Sequence, residues 1–115
     1  MIKKEYFVYY YNELTEKKIK KIIKKNNLTR EFEIATNNLK INPNYGNKIQ
    51  RRLWPDKYKK DKEIDNLWRY ELSRKNPGWR IIYTVTDEKS KNKIKILSVL
   101  IDVLNHHRYD RMFNY

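Results

Sequence analysis

The chain has 115 residues, 27 Lys and Arg against 14 Asp and Glu, and a formal net charge of +13, which fits one domain spanning 1–115 with a modest core and a polyanionic partner, either nucleic acid or an acidic protein. A lysine-rich solubilising surface gives the same composition, so charge alone does not choose. The absence of Cys excludes disulfides, thiolate zinc sites and Cys nucleophiles, and the apolar run at the N-terminus is too short for a signal peptide or membrane span, so the expectation is a soluble, cytoplasmic protein.

Residues 6–11 (YFVYYY) read as a short strand, aromatic with one β-branched residue. Asn12 or Thr15 can cap a helix running to about Lys25, with Glu13 and Glu16 in its first turn and Leu14, Ile19, Ile22 and Ile23 as a narrow apolar stripe. Six lysines between Lys17 and Lys25 occupy its other faces. They serve equally as a rail for phosphates or as a solvated helix surface. Thr29 is expected to cap a second helix whose stripe is Leu28, Phe32, Ala35 and Leu39. Asn42-Pro43-Asn44 ends it, and the two helices should form an antiparallel hairpin.

Tyr45 to Glu63 is the least regular part, since Pro55 rules out a long helix. It carries Lys48, Arg51 and Arg52 beside Trp54, and further lysines to Lys62. Basic residues around an aromatic suit phosphates and a stacked base. The plainer reading, and the stronger one for Trp54 itself, is a connector with a packing anchor.

Residues 67–83 (LWRYELSRKNPGWRIIY) form the centre of the sequence. Trp68, Tyr70 and Leu72 fall on one face of a strand, and Arg69 and Glu71 on the other. In the next strand Trp79, Ile81, Tyr83 and Val85 share a face, while Arg80 points the opposite way with Ile82 and Thr84. Pro77-Gly78 supplies the turn, Gly78 being expected to accept positive φ. Arg74 and Lys75 beside that turn are candidate phosphate contacts, together with Lys48, Arg51 and Arg52. Asp87 to Asn92 reads as another turn. Ile94 to Val103 is apolar on both faces, as in a strand covered on both sides. Leu104 to Tyr115 is a short helix or a tail. The order β-α-α-β-β-β with a C-terminal helical turn is an α+β fold. An N-terminal strand and an αα-hairpin pack on a mostly antiparallel, about four-stranded sheet.

The sequence has no glycine-rich phosphate loop, no HExxH motif and no clustered carboxylates, and its only histidines are the adjacent His106 and His107. No cofactor or metal is expected. The chemistry left is that of Arg, Glu, His and Tyr on a basic surface.

The segments NLWRYEL, PGWRIIYTV and IKILSVLIDVLNHHRYDRMF resemble the RelE/ParE toxin superfamily of type II toxin–antitoxin systems, over about residues 28 to 115. The resemblance implies a RelE-like fold. In the RelE-like branch it implies a metal-independent endoribonuclease that cuts mRNA on the ribosome, inhibits translation and is neutralised by an acidic antitoxin. In the ParE-like branch it implies a DNA gyrase inhibitor without nuclease chemistry. A non-catalytic RNA-binding relative is a further alternative. Arg80 matches the family's phosphate-holding arginine. Arg69 and Glu71 occupy a strand where basic residues or a catalytic carboxylate stand. His106, His107 and Tyr109 follow the last strand, where a general acid and a further Arg or Tyr are kept. On this expectation Glu71 is the base with Arg69 keeping it ionised, Arg80 holds the phosphorane, and His107 or His106 is the acid, an imidazole's ordinary pKa of about 6.5 lying near working pH. Tyr109 orients the phosphate or stacks on a base. The competing reading makes Arg69–Glu71 or Arg80–Glu71 a plain surface ion pair.

Overall fold

The computed structural model describes residues 2–75 and 77–113. Strand β1 (Lys3–Tyr10) leads into α1 (Glu13–Lys25) and α2 (Thr29–Ile41). After short 3₁₀ turns at Pro43–Tyr45 and Arg51–Leu53, a two-residue β2 (Asn47–Lys48) and α3 (Asp56–Lys59), the chain enters β3 (Trp68–Ser73), β4 (Trp79–Ser90) and β5 (Lys93–Asn105), then α4 (His106–Met112). The architecture is α+β. The sheet has five strands in the order β1-β5-β4-β3-β2. β2, paired through Asn47↔Arg69 and Lys48↔Trp68, is the strand beyond the expected four. At two residues it carries no alternation that a sequence pattern would show.

β1 pairs with β5 in parallel, Tyr6 opposite Ile96. Every other pairing is antiparallel. A parallel pair needs a long crossover, and here that crossover is everything between the first and last strands. β5 lies between β1 and β4, which is why it is apolar on both sides.

The helices begin as the sequence reads, with exceptions. Asn12 caps α1, its Oδ1 accepting from the Thr15 N–H at 2.8 Å. Leu14 is not part of the stripe: it is 78% exposed, while Ile19 and Ile23 are buried. Nor does Thr29 cap α2. The cap position is Leu28, without a side-chain bond, because Asn27 takes the left-handed conformation at φ 53° and the Leu28 N–H returns to the Ile23 carbonyl at 2.9 Å. The tight α1–α2 link thus uses backbone bonds where a threonine hydroxyl was expected. Leu28, Ala35 and Leu39 are buried as the stripe predicts, and Phe32 packs against them.

Two cores flank the sheet. Under the helical hairpin, Ile19, Ile23, Ala35 and Leu39 meet Tyr70, Leu72, Ile81, Tyr83, Leu100 and Val103, with Trp68 and Trp79 at the margin. This is the face the alternation assigns to the core. On the other face Ile82 and Leu104 are covered by Ile49, Trp54, Tyr58, Ile64, Leu67, Tyr109 and Phe113. Trp54 is 2% exposed and its indole N–H donates to the Ile49 carbonyl at 2.9 Å, so it is the packing anchor and does not stack on a base. Asp87 to Asn92 is not a six-residue turn. β4 runs to Ser90 and β5 starts at Lys93, with Ser90 opposite Lys93, because charged side chains are tolerated on the exposed end of β4, where β5 also pairs with β1. Gly78 does not use positive φ, and no described glycine does. Asn76, in the same turn, and Asn114 and Tyr115, at the end of the expected tail, lie outside the described residues.

Gly46 is required by close approach. A Cβ there would stand 2.3 Å from the Arg69 carbonyl oxygen and 2.6 Å from the Tyr83 hydroxyl. That hydroxyl donates to the Pro43 carbonyl at 2.8 Å and accepts from the Gly46 N–H at 3.1 Å. Gly46→Ala is therefore expected to destabilise the chain by about 1–3 kcal/mol, in line with overpacking elsewhere, as a lowered urea midpoint with an unchanged slope.

Alkali should unfold the chain through the same tyrosine. Burial raises the Tyr83 pKa to about 12, and Tyr58, buried beside Asp102, is also raised. The folded state then holds these protons more tightly than the unfolded state does. Stability is complete below the ordinary phenol pKa of about 10 and falls as pH rises through 10 to 12, by up to about 1.4 kcal/mol per pH unit for each such phenol. Denaturant midpoints at rising pH should fall only above about pH 10, and Tyr83→Phe should flatten that fall.

Candidate active site

The site is built on the face opposite the helical hairpin, at the end of the sheet where β3 and β4 meet. Their register sets Glu71 directly across from Arg80 and Arg69 across from Ile82. The Arg80 Nε–H donates to Glu71 Oε1 at 2.9 Å, the two side chains being 16% and 30% exposed. The guanidinium of Arg80 lies on the ring of Tyr109, 4.4 Å from its centroid. A cation over a ring face is held by the ring quadrupole, so Arg80 is fixed from below by Tyr109 and from the side by Glu71.

Tyr109 is fully buried. Its ring stacks on Phe113 with centroids 4.6 Å apart, and its hydroxyl accepts from Arg69 Nη1 at 3.0 Å. It is not placed to stack on a base; it supports the two arginines instead. Arg69 bonds the Tyr109 hydroxyl, and Glu71 pairs with Arg80.

Helix α4 is set by backbone and cap. The His106 N–H donates to the Gly78 carbonyl at 2.7 Å, and Asn105 Oδ1 accepts from the Arg108 N–H at 2.9 Å. This pins the helix start beside the β3–β4 connection. His106 Nε2 lies 3.1 Å from Asp110 Oδ2, one helical turn on, and Arg80 Nη1 lies 3.9 Å from Asp110 Oδ1. His107 is exposed, its ring 6.0 Å from that of His106.

A cleft of about 460 Å³ opens here, lined by Asn47, Glu71, Arg74, Gly78, Arg80 and His106. A smaller one of about 210 Å³, also lined by Asn47, Glu71 and Arg74, adjoins it. The fold thus gathers Arg80, Glu71, His106 and Arg74 around one space, with Arg69 and Tyr109 beneath. His107 does not line the space. Lys75 lines a separate cavity with Asn27, Glu31 and Trp79. Lys48 is exposed on β2. Arg51 lies over the Trp54 ring at 5.1 Å and Arg52 donates to Gln50 at 2.9 Å, both on the outer surface of the second core's cover. Sequence reasoning missed Asn47, which reaches the cleft on the unforeseen β2, and Asp110. The i, i+4 spacing from His106 was the available signal for Asp110, once residues 106 to 112 are taken as helix.

A slightly larger cleft, about 490 Å³, opens beyond the end of α2, with Lys4, Asp65 and Asp87 among its linings. It has neither Arg nor His, so it offers no phosphate fork beside an acid and a base. Comparison with known proteins gave no match to any family model, curated protein or solved structure.

Proposed function

We propose that the chain is the toxin of a type II toxin–antitoxin pair, of the RelE-like kind, and acts as a metal-independent endoribonuclease on mRNA, on the ribosome. The observation that carries this reading is the Glu71↔Arg80 register, which sets a carboxylate and a guanidinium side by side at a cleft that His106 also lines. The residue pattern of the two strands and the His-Arg-Tyr ending support the family.

In the proposed reaction Glu71 takes the proton from the ribose 2′-OH, and that oxygen attacks the adjacent phosphorus. Arg80 meets the charge growing on the phosphorane oxygens, as its planar donors suit two oxygens at once. Arg74 extends the positive field along the RNA. The 5′-oxygen leaves with a proton from His106, and the products carry a 2′,3′-cyclic phosphate and a 5′-hydroxyl. His106 takes the acid role ahead of His107 because it lines the cleft. Arg69 and Tyr109 act through Arg80 as positioning residues. The partner proposed for the resting state is an acidic antitoxin that covers this basic cleft, and the cytoplasm is the compartment in which such a pair works.

One observation favours a second reading. Glu71 and Arg80 satisfy each other, as they would in a ParE-like inhibitor of gyrase or an RNA-binding relative that does no chemistry. Expression in a bacterial host, with translation and gyrase supercoiling followed in parallel, separates them. Translation arrest with unaffected supercoiling supports the nuclease. Inhibited supercoiling with intact mRNA supports the second reading and overturns the first.

A further inference from the structure

The face of the sheet that carries Arg80 is covered over only part of its extent. The cover ends near Ile101 and Tyr11, the outlying members of the second core. Past that line, strand alternation puts Glu5, Phe7 and Tyr9 of β1 on this face. Their partners on β5 are Lys95, Leu97 and Val99. Tyr9 is 49% exposed, and among the described residues neither Phe7 nor Tyr9 belongs to either core. Their rings stand parallel, 5° apart in plane with centroids 6.1 Å apart. Lys95 Nζ lies 5.8 Å from the Phe7 centroid, and Lys93 Nζ lies 2.8 Å from Glu5 Oε1. At the other end the Tyr11 hydroxyl donates to Asp61 Oδ2 at 2.7 Å. That bond brings the loop with exposed Lys60 and Lys62 to the end of the row of rings.

We propose that this open face, with Phe7 and Tyr9 at its centre and lysines at both ends, is a binding platform for single-stranded RNA. Unpaired bases present flat π faces, and aromatic rings standing on a sheet accept them with little regard to sequence. Lysines flanking the rings hold the phosphates that run past them. On a chain of net charge +13, an acidic protein would also satisfy the lysines. It would have few planar groups to set against two parallel rings, whereas each unpaired nucleotide brings one. The platform lies apart from the Arg80 cleft, and binding there does not depend on cleavage.

The test is a fluorescence anisotropy titration of a labelled, unstructured oligoribonucleotide of about 12 nucleotides, within the span such platforms cover. All variants are made in an Arg80→Ala background, so that the probe stays intact. Tyr9→Ala should weaken binding about tenfold, and Phe7→Ala combined with it should weaken binding further. Lys95→Gln should weaken it and lower the slope against log salt by about 1. Tyr9→Leu keeps apolar bulk on the strand and removes the ring. With an unchanged thermal melt it should bind as poorly as Tyr9→Ala. Parental affinity in Tyr9→Leu overturns the platform, as does equal binding of a duplex of the same sequence. Binding of polyglutamate that is lost with Tyr9, while RNA binding is kept, also overturns it and makes an acidic polypeptide the occupant. A chain that binds RNA through Tyr9 but never cuts it upholds this inference and overturns the proposed cleavage alone.

Discussion

Arg80→Ala is expected to lower RNA cleavage by roughly 10²–10³, the usual cost of losing one preorganised charge donor at a transition state. The loss should fall on the chemical step, so a single-turnover assay reads it more cleanly than growth does. The fold should persist. Glu71 is 30% exposed, and water can solvate it once its partner is gone. The stability cost should then be about 1–3 kcal/mol, that of removing a hydrogen-bonded charged partner. Arg80→Lys keeps the charge and loses the planar fork, along with the Nε–H that meets Glu71. It should stay well below the parent in cleavage while melting close to it. Full cleavage by Arg80→Ala would remove the arginine from the mechanism, and with it the reason for reading this cleft as a site.

Tyr109→Ala should be the most damaging single truncation on this side of the sheet, costing about 3–5 kcal/mol. The ring is fully buried, stacked on Phe113 and set under Arg80. Its removal leaves a cavity between α4 and the sheet and frees both arginines to change rotamer. The melting temperature should drop by on the order of 10–20 °C, and cleavage should be lost with it. Tyr109→Phe separates the two effects. It keeps the ring and both stacking contacts, and deletes only the hydroxyl that accepts from Arg69. The stability cost should be about 1 kcal/mol, and most of the activity should remain. If Tyr109→Phe cleaves as poorly as Arg80→Ala at an unchanged melting temperature, the hydroxyl itself takes part in the reaction, and Tyr109 is more than a support.

The parts of the fold that follow a period were readable in advance. Trp68, Tyr70, Trp79, Ile81 and Tyr83 could be assigned to the helical-hairpin side because side chains alternate strictly along a strand. The same alternation put Arg69, Glu71 and Arg80 together on the other side. Arg80–Glu71 was one of two ion pairs the sequence left open, and the bond from Arg69 to Tyr109 was not readable. Glu71 meets Arg80 only in the register that the β3–β4 connection imposes, and Arg69 turns to Tyr109 because α4 folds back across the strands. Nothing local in the stretch from His106 to Arg111, with one aromatic among polar residues, marks Tyr109 as a fully buried ring. Its burial joins Leu104 and Phe113, near it in sequence, to Ile82 and the rest of the second core, which only the fold brings close. The choice of His106 over His107 turns on the same helix, since one residue along a helix rotates the side chain by about 100°. The second core was hidden for a similar reason. Ile49, Trp54, Tyr58, Ile64 and Leu67 have no common period, and only tertiary packing unites them.

Glu71, Arg80 and His106 are proposed to cut RNA together. This is tested most directly by incubating the purified chain with mRNA, free and on programmed ribosomes, in excess EDTA, and determining the ends of any product. The expected products are fragments with 2′,3′-cyclic phosphate and 5′-hydroxyl ends, formed in EDTA and lost in Arg80→Ala. Intact RNA under both conditions, or cleavage that stops in EDTA and leaves 3′-hydroxyl and 5′-phosphate ends, would contradict the proposal.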